Sequence, residues 1–325
     1  MNAVSVRQQE SGLGGVLSAA VSALYIVEGL GGSRRSRDGA ASRVVEAAAE
    51  AGWTPSIVSL GDMAERVGDP GVDVVRVVLC GGDGLIHRAL PYLVHTDVEV
   101  AVVPVGSGND FARAFGISAD VAVPLATAPA DASAPLAGVD VIAVDGGTDG
   151  STGLAASVLT AGYTGRVNAT ANRMRFPPGS AKYTVAALRE VGRLRPIEAR
   201  LVLSNEVGEQ QSVIDGPLTM FAIGNTGYFG GGMNICPTAD ATDGQLDVVA
   251  LGRVGRVEFM RWLPQVFKGK HLGHPAVTTG RAAQVRIESS EPLWADGEAL
   301  VANSSGPHHT VKVRTAALRL LRPRQ

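Results

Sequence analysis

The chain has 325 residues, which suits two domains of ordinary size better than one small core. Charged residues make up 18% of it and the formal net charge is −2, so no polybasic face is expected and nucleic-acid binding through phosphate neutralisation is disfavoured. Its two cysteines, Cys80 and Cys236, lie far apart in apolar runs and are expected as buried, reduced thiols of a cytosolic protein, not as a disulfide or a zinc site.

Residues 12–27 come nearest to a targeting or membrane segment. Ser and Gly interrupt the run, and it falls short of the roughly 18 apolar residues a span needs. Its start reads as a mobile tail and residues 23–27 as the first strand.

From there to about Gly138, β-branched runs at 23–27, 55–60, 74–80 and 98–103 alternate with helical stretches at 40–51, 62–67, 85–94 and 110–115. That rhythm predicts a Rossmann-like three-layer α/β domain over residues 21–138, with ligands outside the carboxyl ends of its strands. An Ala/Pro-rich passage at 125–137 marks the boundary. Beyond it, strand-like runs at 139–144, 155–159, 199–203, 218–224, 246–251, 284–287 and 311–314 follow one another, with helical insertions near 181–194 and 257–267. A mainly antiparallel β-sandwich is predicted over residues 139–314, with segment 315–325 free to return to the first domain.

Two glycine loops close strands of the first domain. Cys80-Gly81-Gly82-Asp83-Gly84-Leu85 lets backbone N–H groups approach an anion at a helix start, although an ordinary tight turn shows the same residues. Gly106-Ser107-Gly108-Asn109-Asp110 again follows a strand and opens a helix, which Asn109 or Asp110 is expected to cap. No lysine precedes Lys182, so a P-loop is absent from this half, and a nucleotide, if bound here, would have to be held by backbone amides, Ser or Asn, arginine and metal.

In the second domain, Asp240, Asp243 and Asp247 cluster beside glycine turns. Hard oxygen ligands of this kind suit Mg²⁺ or Ca²⁺, and a plain turn before the next strand explains them equally. Near its end, Asp296-Gly297-Glu298 offers a general base toward a substrate hydroxyl, or a hairpin turn. His271 and His274 read as surface loop residues. Phe259, Met260, Leu263, Val266 and Phe267 read as a face packed on the sandwich, with a membrane-surface helix as the other reading. Arg173, Arg175 and Phe176 form a basic, aromatic loop suited to anionic lipid or to solvent.

In combination and in this order, these motifs resemble the diacylglycerol kinase catalytic-domain family, which includes bacterial lipid kinases and sphingosine kinases and is distantly similar to NAD kinases. Gly81–Gly84 resembles the family's Gly-Gly-Asp-Gly-Thr loop, and residues 106–113 its Gly-Thr-Gly-Asn-Asp-Phe-Ala-Arg signature. Asn225, Gly230 to Met233, Pro237, Ala239, Asp243, Gly244 and Asp296-Gly297-Glu298 follow its second-domain pattern.

The resemblance implies an ATP-dependent lipid kinase acting on diacylglycerol or a related lipid presented at a membrane surface. It implies phosphate contacts from Gly81, Gly82, Asp83, Gly84, Arg88, Gly106, Ser107, Gly108, Asn109 and Asp110. Glu298, in concert with Asp296, would accept the hydroxyl proton, and Mg²⁺ would lie near Asp243 with carbonyls around Asp240 and Gln245. A cytoplasmic, peripherally membrane-associated protein follows, with a homodimer left open.

The sequence departs from the pattern at Glu28 to Arg34, where Asn-Pro-x-Ser-Gly is usual, at Leu85, where Thr is usual, and at His87-Arg88, where Asn-Glu is usual. Losing the Thr hydroxyl weakens anion binding, and Arg88 restores positive charge. The alternatives are a degenerate, non-catalytic nucleotide- or lipid-binding module and an NAD kinase-like small-molecule kinase.

Overall fold

The computed structural model describes residues 23–28, 34–67, 69, 74–129, 135–145, 153–176, 181–300 and 308–324. The tail before residue 23 and the loop at 29–33 lie outside them.

The first half runs β1 (Ala23–Glu28), α1 (Arg34–Glu50), β2 (Thr54–Val58), α2 (Leu60–Val67), β3 (Val74–Gly81), α3 (Asp83–Leu93), β4 (Glu99–Pro104), α4 (Asp110–Ala114) and α5 (Ala119–Ala126). The β-branched runs pair in parallel in the order β2-β1-β3-β4. Consecutive residues from Val77 to Cys80 are all buried, as expected for a parallel sheet covered on both faces. One cation is sealed into this core. Arg76 donates to Glu99 at 2.9 and 2.6 Å and lies over the Trp53 ring, so its buried charge is paired and not available to a ligand.

The second half runs β5 (Leu136–Asp145), β6 (Gly153–Ala155), β7 (Val158–Gly162), α6 (Tyr163–Arg173), α7 (Ala181–Gly192), β8 (Ile197–Ser204), β9 (Gln210–Gly224), β10 (Tyr228–Phe229), β11 (Met233–Asn234), β12 (Leu246–Gly252), α8 (Arg256–Val266), β13 (Val277–Ala282), β14 (Gln284–Ser289), β15 (Trp294–Ala295), β16 (Glu298–Ala299) and β17 (His308–Leu321). Alternation along β8 sends Ile197, Ala199, Leu201 and Leu203 inward to meet Phe221, Ile223, Val248, Val285 and Val311 in the sandwich core. On the other side of the strands, α6, α7 and α8 form a helical layer over Tyr163, Met220, Phe259, Trp262 and Val266. The architecture is thus an α/β half followed by a β-rich half, in agreement with the sequence reading.

Two long strands join the halves. β17 pairs antiparallel with β14 through residues 308–312 and parallel with β4 through Arg319 and Leu320, while β5 runs beside it throughout. The register of that ribbon shifts between Arg314 and Leu318, where Ala316 has φ 46° and donates its N–H to Asp140 Oδ1 at 2.8 Å.

Three local expectations are corrected. α6, which carries Gly, Thr and Asn at weak periodicity, lies where no helix was expected. His271 is buried, with Nε2 2.9 Å from the Ile235 carbonyl, and is not a surface residue. On α8, Phe259 and Val266 pack inward with Trp262, but Met260 and Phe267 face solvent.

Candidate active site

The two glycine loops of the α/β half lie against each other at the carboxyl ends of β3 and β4. A Cβ placed on Gly106 would stand 2.5 Å from the Gly82 Cα, and one on Gly82 would stand 3.0 Å from the Gly106 Cα. Only glycine at both positions permits this approach. Val105 N–H donates to the Gly81 carbonyl at 3.1 Å, which ties the second loop to the end of β3, and Asp83 Oδ1 accepts from Phe111 N–H at 3.0 Å, which ties the first loop to α4.

Asn109 does not cap α4 through its side chain, contrary to expectation. It takes the left-handed conformation at φ 55°, and its amide folds back on the Gly106 backbone, with Oδ1 accepting and Nδ2 donating at 3.0 Å each. Asp110 turns from helix capping to bridging: Oδ2 accepts from Gly231 N–H at 2.6 Å, and its other oxygen pairs with Arg113. Burial raises the Asp110 carboxyl above its usual range, with the Gly231 amide and Arg113 opposing and Asp83 adding to the rise. The contact brings the Gly230–Gly232 turn of the β-rich half onto the second loop. No side chain caps the start of α3, so the positive end of that helix meets the crevice. Ser107 is exposed at its lip, and Arg88 donates from Nε to the Gly84 carbonyl at 3.1 Å, one turn into α3.

Across the crevice stands the β15–β16 turn. Glu298 is exposed, and its Oε1 lies 3.9 Å from the position a Cβ would take on Gly84. Asp296 is different. At φ 51°, with its side chain 3% exposed, it accepts Ala156 N–H on Oδ2 and Ser157 N–H on Oδ1 at 2.8 Å each, and Val158 N–H on Oδ1 at 3.2 Å. Both oxygens are committed to backbone donors, so Asp296 holds the turn in place, and Glu298 is the carboxylate left facing the loop. Asp296→Asn puts an NH₂ against those N–H groups and is expected to cost about 2 kcal/mol, read from urea unfolding midpoints.

Sequence reasoning missed one partner. His87, seen there only as a departure from the family pattern, places Nδ1 3.2 Å from Asp296 Oδ2 across the two halves.

The turn at Asp240, Asp243 and Gln245 lies away from the crevice, over the β5–β17 ribbon. Asp240 Oδ1 accepts from Thr242 N–H and Oγ1, Asp243 Oδ1 accepts from Gln245 N–H at 2.9 Å, and Asp243 Oδ2 pairs with Arg281, which also donates to Asp247 at 3.3 Å. A guanidinium and backbone donors already meet these oxygens. Among the described residues no group of three or more His, Cys, Asp and Glu side chains is placed to hold a metal, so any Mg²⁺ here would rest on backbone carbonyls around Asp240 and Gln245 and on an Asp243 carboxylate that Arg281 already meets.

Comparison with known proteins agrees with the architecture and the loops. The diacylglycerol kinase catalytic domain matches residues 22–141, and the YegS C-terminal NAD kinase beta sandwich-like domain matches residues 157–322. A diacylglycerol kinase of Mycobacterium tuberculosis is 37% identical over 255 residues, 78% of either chain, and one of Bacillus subtilis is 24% identical over 237 residues, 68% of this chain and 70% of that one. A crystal structure of a diacylglycerol kinase from Bacillus anthracis superposes with a TM-score of 0.65 at 16% identity, covering 93% of this chain and 97% of that one, and so shares the fold. The paired glycine loops, the facing Glu298 and these likenesses together place the chain in the diacylglycerol kinase family, as a kinase.

Proposed function

We propose that the chain transfers the γ-phosphoryl group of ATP to the hydroxyl of diacylglycerol or a closely related lipid, with Glu298 as proton acceptor. The observation that carries this reading is Glu298 itself, a carboxylate from the β-rich half facing Gly84 in the phosphate-binding half. As the acceptor oxygen bonds to the γ-phosphorus, the bridging P–O bond breaks, ADP keeps the electron pair and the hydroxyl proton passes to Glu298. The amides of Gly81 to Gly84 and Gly106 to Gly108, the start of α3, Ser107 and Arg88 meet the phosphates, and Mg²⁺ enters as the counter-ion of ATP. The work of the site is alignment and charge stabilisation.

The helical layer supports a membrane-borne acceptor. Residues 163–195 and 253–270 hold twelve of the 29 Lys and Arg but only two of the 31 Asp and Glu, so near-neutral overall composition conceals a basic face. Seven of the eleven exposed large apolar side chains among the described residues are there too, Phe176, Leu188, Val257 and Met260 among them. The layer reaches the site: α6 packs against β16, the strand that begins with Glu298, and the Tyr183 hydroxyl, raised by burial, is raised further by the charge of Glu298. No helix among the described residues is long and apolar enough to cross a membrane. This layer would rest on an anionic bilayer at the cytoplasmic surface, in a peripheral arrangement that delivers lipid to Glu298.

The test is transfer of labelled phosphate from ATP to diacylglycerol in vesicles, with sphingosine, ceramide, monoacylglycerol and NAD as competing acceptors. Each basic residue at an anionic surface is worth about 1 kcal/mol, so transfer should run at least about tenfold faster on anionic than on zwitterionic vesicles, with the advantage lost in high salt. Equal rates on both vesicles would remove the membrane-facing layer, and transfer to NAD instead would replace the lipid reading with that of a small-molecule kinase.

A further inference from the structure

We infer that His87 is a positioning residue: it latches the turn that carries Glu298 to the helix that carries the phosphate loop, and its charge state sets how firmly. The inference rests on Glu298 being the proton acceptor.

Gly84 and His87 lie three positions apart in α3 and so share one helix face. Each meets the β15–β16 turn: Gly84 faces Glu298, and His87 contacts Asp296 two residues earlier. Asp296 is fixed to the β-rich half by three backbone N–H groups, and its own N–H donates to the Val158 carbonyl at 3.0 Å. The turn is therefore rigid toward β7, and His87 ties it to the α/β half. Asp296 Oδ2 is an acceptor, so His87 Nδ1 is the donor. This fixes the Nδ1–H tautomer when the ring is neutral and leaves Nε2 as the site that gains a proton. Nothing in the resemblance to the family predicts an ionisable donor here, because an amide, which keeps one charge state, is usual at this position.

The titratable groups acting on His87 are Asp296 and Glu298 from the turn and Arg88 from its own helix. β6, also packed on α3, carries none, and the charges of α2 and β3 are not among them. Burial of the ring is the largest single influence and pushes the imidazole down. The hydrogen bond to Asp296 and the charges of Asp296 and Glu298 together outweigh it and Arg88, so the net direction is upward from 6.5. The contact is then an ion pair on the acid side and a neutral hydrogen bond on the alkaline side. Its added strength is fully present below 6.5 and is lost as pH rises through the folded value.

The experiment compares the full chain with His87→Asn, which keeps a side-chain donor and removes the charge, measuring kcat on diacylglycerol vesicles across pH and titrating the ¹³C-labelled histidines by NMR. The wild-type kcat should exceed the variant's by about tenfold on the acid side, the two converging at alkaline pH, with KM for ATP little changed. The resonance absent from the variant should report the Nδ1–H tautomer and titrate above 6.5, moving down in Glu298→Gln. A kcat ratio that stays flat with pH overturns the inference, even with reduced thermal stability, since that pattern marks a merely structural contact. A resonance in the Nε2–H tautomer, or titrating at or below 6.5, overturns it as well. Should the wild type phosphorylate none of the acceptors, the lipid-kinase reading fails, while the NMR titration still decides for or against the latch.

Discussion

Glu298→Gln is expected to lower kcat on the lipid acceptor by about 10²- to 10⁴-fold, the usual worth of a positioned general base, while KM for ATP stays within about twofold. The amide keeps the volume of the carboxylate and loses its capacity to take a proton. Glu298 is exposed and sits beside a glycine, so the substitution leaves no buried partner unpaired and should not alter the unfolding midpoint at alkaline pH, where His87 is neutral. Steady-state kinetics on vesicles with a matched urea curve would settle the matter. A variant retaining a third or more of the wild-type rate would move the proton to another acceptor, and Asp296, with both oxygens held by backbone N–H groups, is poorly placed to inherit it.

Gly106→Ala should lower kcat/KM for ATP by about a hundredfold, mainly through ATP binding. The added methyl would meet the Gly82 Cα at 2.5 Å, with the Asn109 Oδ1 at 2.9 Å beside it. Backbone cannot rotate away as a side chain can, so the two loops must part by about 1 Å, the scale of misplacement that costs two orders of magnitude in a positioned reaction. Gly39→Ala is the control: it lies in α1 with nothing within 4 Å of the added Cβ, and should be neutral or stabilising by up to about 1 kcal/mol. Calorimetric ATP titration of both variants gives the answer, and wild-type affinity in Gly106→Ala would mean that the loops do not jointly hold the phosphates.

The parts of this molecule legible in its sequence are those written in local pattern. β3 and β4 announce themselves as β-branched runs that end in glycine, and the loops they deliver could be placed at the sheet's carboxyl edge before any coordinates. The helices at Ala181–Gly192 and Arg256–Val266 were foreseen to within two residues, because their apolar spacing is regular. α6 was not, since Gly165, Asn168, Thr164 and Thr170 break that spacing and the helix is held by packing, with Gly165 against Trp294.

The site divides the same way. Glu298 was found because a tripeptide marks it, but the split between a committed Asp296 and an uncommitted Glu298 depends on three amides from residues 156–158, which no spacing connects to position 296. The Asp110–Gly231 and His87–Asp296 contacts likewise join residues over a hundred positions apart. The concentration of Lys and Arg at 163–195 and 253–270 was missed for another reason: a net charge of −2 is a sum over the chain and hides where the charges fall.

The β5–β17 ribbon has a consequence for how the protein is made. β4 finds its parallel neighbour in Arg319 and Leu320, which pair with Glu99 and Val100, so this edge of the first-half sheet stays open until β17, far along the chain, has left the ribosome. During synthesis the first half can collapse around β1, β2 and β3 but not close. Its bare strand edge is then a natural site for a chaperone to hold and for nascent chains to stick together. A ribosome stalled before β17 emerges would display a first half whose loops are complete in sequence but whose sheet is still one strand short.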